Sequence, residues 1–209
     1  MRNVTIIIPV INMDNEKNKE LLKRAIDSVD DSQILIVGDE PNINEVEKMG
    51  LDKPIRVFIN KSNDTTYSTN VNLGVREVKT DYFSVLEYDD VFTPIWFDNV
   101  QKYMENDTEE TFAFFPLTEV IDINMGPVGF ANEAVWASSF SEEIGYYDLQ
   151  CLEDYLDFNT SGAIFKTDDF ITLGLLKPSM KLSFWYEFLL RAAYKGKRMF
   201  VIPKIGYHH

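Results

Sequence analysis

"VTIIIPV", residues 4–10, decides the fold reading. It is rich in β-branched residues and almost unbroken by polar ones, so it predicts a strand covered on both faces. Residues 16–29, "EKNKELLKRAIDSV", then place Leu21, Leu22, Ala25, Ile26 and Val29 at helical spacing with charges between them. "QILIVGDEP" (33–41) predicts a second buried strand stopped by a turn signal. "NINEVEKMG" (42–50) predicts a short helix ended by Gly50, and "IRVFIN" (55–60) a third strand. Strand, helix, strand, helix, strand in such short order argues for parallel βαβ units.

Farther along, "KSNDTTYSTN" (61–70) is polar and loop-like. "STNVNLGVREVKT" (68–80) reads as a helix with Val71, Val75 and Val78 on one face, and "YFSVLEYDD" (82–90) as a fourth strand. "TPIWFDNVQKYMEN" (93–106) predicts a helix with Pro94 in its first turn. "FAFFPLTEVID" (112–122), "SGAIFKT" (161–167) and "RMFVIP" (198–203) predict strands, with a strong helix at 182–196; residues 124–160 show no clear period. The expected fold is α/β: a doubly wound, mostly parallel sheet followed by a smaller mixed region that walls a cleft. Residues 1–209 are expected to form a single domain, with 1–92 as one half and 93–209 as the other.

Composition narrows the function. A length of 209 residues, 45% hydrophobic and 26% charged, is enough for one core and ordinary for a globular protein. Twenty basic against 34 acidic residues give a net charge of −14, which repels nucleic-acid backbones. The single cysteine, Cys151, excludes an internal disulfide framework and a cysteine-rich zinc site. No segment approaches the roughly 18 apolar residues of a membrane span, and the N-terminus lacks a secretory pattern, so a cytoplasmic protein is expected.

Four constellations could carry chemistry. The apolar run 83–86 breaks into Glu87, Tyr88, Asp89 and Asp90: either a solvated turn, or hard oxygen ligands for a divalent cation bridging phosphates. Asp39, at another strand end, either helps form a turn or accepts hydrogen bonds from a ribose or base. His208 and His209 are either a tail or imidazoles that complete a cation's ligand set. Glu187, one turn before Arg191, is either half of a helical ion pair or a general base. Ligands of such sheets sit at the carboxyl ends of the strands, where Asp39 and the 87–90 cluster both fall. No glycine-rich phosphate loop follows residue 10, which disfavours a dinucleotide or P-loop enzyme. A nucleotidyltransferase would want a basic glycine-rich stretch that "PVINMDNEKNKE" (9–20) does not supply.

In order along the chain these stretches resemble family 2 of the inverting, nucleotide-sugar-dependent glycosyltransferases with the GT-A fold. "VTIIIPVIN" is similar to that family's opening strand, with Pro9 and Asn12 at motif positions. "ILIVGDEP" is similar to its second strand, with Gly38 replacing one of two base-contacting aspartates and Asp39 keeping the other. Residues 68–90 match the block leading into the metal motif, Asn72 included, although Val71 stands where many members have arginine. "SGAIFKTDDF" (161–170) and residues 176–209 resemble the acceptor half and closing block.

The resemblance implies a Mn²⁺ or Mg²⁺ held by Asp89 with Glu87 and His208. It also implies a nucleotide-sugar donor, a UDP-sugar in first place, bound by Pro9, Asn12, Asp39, Asn72 and Asp89, and an acceptor that is a glycan, lipid or protein. The Glu-Asp pair that supplies the family's base falls on Phe184 and Trp185. Glu187 is then the first candidate base, Asp154 or Asp157 another, and a nucleotide-binding or structural protein without catalysis the alternative. Family members often continue past the position of His209, so a minimal version or a piece of a longer protein is expected.

Overall fold

The computed structural model describes residues 3–108, 110–122, 126–154 and 158–209. Three parallel strands, β1 (Val4–Pro9), β2 (Gln33–Gly38) and β3 (Ile55–Ile59), are joined by α1 (Glu16–Ser28) and α2 (Glu40–Lys48). Helix α3 (Tyr67–Glu77) returns the chain to β4 (Tyr82–Val85), on the other side of β1. The remaining elements are β5 (Val91–Phe92), α4 (Trp96–Glu105), β6 (Ala113–Ile121), β7 (Pro127–Ala131), α5 (Leu149–Asp154), β8 (Ile164–Lys166), α6 (Thr167–Thr172), α7 (Phe184–Tyr194) and β9 (Met199–His208). Strand order is β3-β2-β1-β4-β8-β6-β9-β5, and β7 pairs with the C-terminal end of β6, Thr118–Ile121.

The sheet divides two apolar cores, and β1 shows why its sequence is apolar throughout. Ile7 joins Val71 and Val75 of α3, Phe170 of α6, and Phe188, Leu189 and Ala192 of α7. Its neighbours Ile6 and Ile8 point the other way, to Leu22, Ala25 and Ile26 of α1, Ile43 of α2, and Trp96 of α4. Alternate side chains of a strand face opposite sides, so a strand buried on both must be apolar at every position. Cys151 is a buried free thiol. Among the described residues no helix is long and apolar enough to cross a membrane.

The expected doubly wound layout holds for β1 to β4, and the second half is more mixed than expected. β8 runs antiparallel between β4 and β6, β6 is parallel to β9, and β5 and β7 are antiparallel additions. The closing strand does not stop at Pro203 but runs ten residues to His208. Its register against β6 shifts after Ile202, opposite Pro116, and resumes at Ile205, opposite Leu117. Pro203, which has no N–H to give a ladder, sits exposed in that irregularity.

Candidate active site

The order β3-β2-β1-β4 reverses between β1 and β4, and in such sheets the crevice at the carboxyl ends beside that reversal is where ligands bind. The acidic turn leaves β4 at this place. Leu86 N–H still bonds Ile7 C=O (3.0 Å), and Asp90 N–H closes a turn on Glu87 C=O (3.2 Å). Glu87 is half-buried, Asp89 exposed and Asp90 buried. Glu87 Oε1 accepts from Ser161 Oγ (2.7 Å), and its backbone N–H donates to the Tyr207 hydroxyl (3.2 Å). Burial pushes the Glu87 carboxyl up, opposed by the Ser161 hydrogen bond; burial and the Asp90 charge push Asp89 up. Arg24 Nη2 bonds the Asp89 carbonyl (2.9 Å) and pins the outside of the turn.

The two histidines part company. His208 lies opposite Glu119 in the β6–β9 register, and its Nε2 stands 3.4 Å from Glu119 Oε2. His209 Nδ1 instead meets Asp90 Oδ2 at 2.9 Å, and that contact pushes its pKa up to about 9. The imidazole at the acidic turn is therefore that of His209, while His208, the histidine favoured from sequence, faces β6.

Under the turn, Gly162 lets Trp96 and Tyr207 converge. Its φ is +77°, and a Cβ there would stand 2.4 Å from Tyr207 Cδ2. Its carbonyl accepts from Trp96 Nε1 (3.0 Å) and its N–H bonds Val85 C=O (2.8 Å). Tyr67 stacks on Phe184 at 5.7 Å. Its hydroxyl is buried beside Glu87, Ser161 and Trp185, with none of the described residues in hydrogen-bonding geometry.

At the ends of β1 and β2 the candidate nucleotide-binding residues share one edge. Pro9 is buried opposite Val37. Asn12 is exposed with φ +52°, a left-handed conformation asparagine tolerates, and its carbonyl accepts from Asn18 Nδ2 (3.0 Å). Asp39 caps α2: its Oδ1 takes both the Asn42 N–H (3.1 Å) and the Asn42 Nδ2 (2.6 Å), while Asn42 Oδ1 accepts from Met13 N (2.7 Å). A Cβ on Gly38 would stand 2.7 Å from Val10 Cγ2, so the strand packing has no place for a side chain there.

Asn72 and Glu187 are drawn elsewhere. Asn72 exchanges two hydrogen bonds with the backbone of Leu176 (2.8 and 3.0 Å). Glu187 is bidentate to Arg191 (2.8 and 2.7 Å) and also meets Lys177 Nζ (2.8 Å). Arg191 in turn bonds the carbonyls of Leu173 and Leu175. Both residues thus clamp the loop 173–177 between α6 and α7. The Arg191 hydrogen bond, with Lys177 adding to it, holds the Glu187 carboxyl below its usual range, which weakens it as a base. Asp154 is solvent-exposed on α5; Asp157 lies outside the described residues. Trp185, on which the sequence resemblance places the family's base, stacks on Phe165 at 5.8 Å.

Ser161 and Tyr207 are the members of the site that sequence reading did not single out, and His209 was weighed with His208 but not preferred. The serine stood in "SGAIF" as a plain strand residue, and its only signal was the glycine beside it.

Known proteins share this chain's family and fold. The model of Glycosyl transferase family 2 matches residues 5–121. An uncharacterized glycosyltransferase of Haemophilus influenzae is 21% identical over 130 residues, covering 60% of this chain and 40% of the relative. Staphylococcus aureus TarS, solved in complex with UDP-GlcNAc, superposes with a TM-score of 0.71 at 13% identity over all of this chain and 58% of its own. The mannosyltransferase PcManGT of Pyrobaculum calidifontis, in complex with GDP-Man and Mn²⁺, gives 0.67 at 14% identity over all of this chain and 57% of its own. At such identities the likeness establishes the fold. The chain spans less than two thirds of each of these relatives.

Proposed function

Given that this chain belongs to glycosyl transferase family 2, we propose that it moves a sugar from a nucleoside-diphosphate donor to an acceptor hydroxyl, with inversion and with a divalent cation. The observation that carries this reading is the acidic turn 87–90 at the strand ends beside the reversal in strand order. Among the described residues no three metal-ligating side chains converge into a closed cage. The exposed Asp89 and half-buried Glu87 are hard oxygen donors, and they fit a Mn²⁺ or Mg²⁺ that keeps most of its positions for substrate oxygens and water. Such a cation would offset the charge on the departing diphosphate.

The chain's own residues do the rest. Ser161 and Tyr207 hold Glu87 in place, and Arg24 holds the turn from outside. His209, kept cationic by Asp90, brings a positive charge to the side where a diphosphate would lie. Pro9, Asn12 and the free carboxylate oxygen of Asp39 line the edge where a base and ribose would rest. A UDP donor is favoured over GDP because TarS, which superposes well on this chain, is described with UDP and UDP-GlcNAc. Attack on the anomeric carbon from the face opposite the diphosphate gives inversion in one displacement.

A second reading, nucleotide binding without transfer, is supported by the two cations that hold Glu187 and by Trp185, on which the resemblance places the family's base. Calorimetric titration of UDP and of GDP, with and without Mn²⁺, on wild type and Asp89→Ala addresses both. Metal-dependent binding of UDP that disappears in the variant is expected. Absence of binding by either nucleotide to folded protein with Mn²⁺ present would overturn both readings. Binding without transfer to any acceptor leaves only the second.

A further inference from the structure

Charge is unevenly spread over this acidic chain. Of its 20 basic and 34 acidic residues, six basic and one acidic fall between positions 177 and 198. Within that segment Glu187 is neutralised by Arg191 and Lys177, Lys197 pairs with Asp169, and Arg198 with Glu143. Lys181 and Lys195 make no ion pair among the described residues. Lys181 follows the single turn at 178–180 that precedes α7, and Lys195 follows the helix's last residue, its ammonium 6.0 Å from the Tyr194 ring centre.

Met180 and Tyr194, the residues before these two lysines, line a groove of about 540 Å³ together with Leu149 of α5 and Tyr186 and Leu190 of α7; Ser183 and the paired Glu187 and Arg191 complete it. The apolar side chains here are left in solvent: Tyr194 of the groove is 76% exposed, and Leu182, two residues after Met180, 98%. One exposed leucine means little, but Leu182 beside a groove residue, with Met180 and Tyr194 in the groove and each followed by a lysine that makes no ion pair among the described residues, forms an exposed apolar and cationic patch.

We infer that this face of α7 docks on an anionic lipid surface. Leu182 and Met180 enter the boundary between headgroups and acyl chains, Tyr194 lies at headgroup level, and Lys181 and Lys195 meet lipid phosphates. The acidic remainder of the molecule is repelled by the same surface, so the charge asymmetry also sets the orientation. A second copy is a poorer occupant, because two-fold pairing of this face would bring like lysines together. An acidic peptide would find the lysines but has no use for Leu182, which is 98% exposed and outside the groove's lining.

The test is flotation of the 209-residue chain, without nucleotide and at low salt, with vesicles of phosphatidylcholine and phosphatidylglycerol in equal parts or of phosphatidylcholine alone. Wild type is expected to float with the anionic vesicles only. The double variant Lys181→Glu/Lys195→Glu should partition at least 20-fold less, at about fivefold for each lysine removed. Leu182→Ser should bind several-fold less with an unchanged melting temperature, since the side chain it removes touches little. Failure of wild type to float, equal binding to neutral vesicles, or undiminished binding by either variant would each overturn the proposal. A dimer seen by light scattering that Leu182→Ser abolishes, without vesicle binding, would overturn it in favour of self-association. Because no nucleotide is present, none of these outcomes bears on the donor reading, and loss of nucleotide binding would leave this one standing.

Discussion

Gly38 shows how a departure from a family pattern can be steric before it is functional. Its position is buried at the end of β2, and Val10, just past the end of β1, fills the space where a side chain would begin. Gly38→Asp, which restores the family's residue, should therefore cost about 2–4 kcal/mol from overpacking and burial of a carboxylate, and should not improve UDP binding. Urea denaturation of Gly38→Asp beside Gly38→Asp/Val10→Ala checks this: partial recovery in the double variant is expected, and an unaffected single variant would refute the packing argument. Asn72 poses the complementary case, since sequence places it with the donor and the structure spends both ends of its amide on Leu176. Asn72→Ala is expected to lower stability by about 1–3 kcal/mol with little change in nucleotide affinity, read by denaturation and titration of the same sample. A large loss of affinity at unchanged stability would return Asn72 to the donor site.

Helix α7 carries two faces with separate tasks. Phe188, Leu189 and Ala192 fill the core, while the Glu187–Arg191 pair reaches back to hold the loop 173–177. Both partners are only 17% exposed, so the pair is worth more than a surface bridge and Glu187→Gln should destabilise by about 1–3 kcal/mol. The sign of the pH dependence follows from the depressed carboxyl. Glu187 contributes in full above its ordinary value of 4.5, and the contribution is lost as pH falls through the lower folded value. The stability gap between wild type and Glu187→Gln should thus be widest near pH 7 and close in acid; a gap that widens in acid would refute the assignment. Elements with buried faces and long periods were legible in the sequence: β1, β2, α1 and α7 fall within a residue or two of expectation. β5 escaped because two residues carry no period, and β7 because its outward Val128 and Phe130 read as irregular aromatic chain. Which histidine meets the turn was not legible either. The register shift at Pro203 intervenes between the readable part of β9 and its end, and strand parity cannot be counted through it.

At the scale of the whole molecule, the halves 1–92 and 93–209 that the sequence suggests are not separable pieces of structure. β8, from the second half, pairs with β4 of the first, and β5 takes its strand partner, β9, from the second half. The core that contains Ile7 and Val37 also contains Phe165, Phe188 and Val201, and the opposite one joins Ile6 and Ile36 to Phe114 and Tyr207. The site has the same composition: its acidic turn belongs to the first half, and Ser161, Tyr207 and His209, which hold that turn, to the second. A chain so interleaved should unfold as one unit, with far- and near-ultraviolet circular dichroism tracing the same urea transition. A 1–92 fragment would leave β4 with an open edge and both cores half-lined, and should show no cooperative transition and no nucleotide binding. If that fragment instead folded and bound UDP with Mn²⁺, Ser161, Tyr207 and His209 could not be the supports of the turn. The donor site would then have to be self-sufficient in the first half, and the closing strand would be free to serve the acceptor alone.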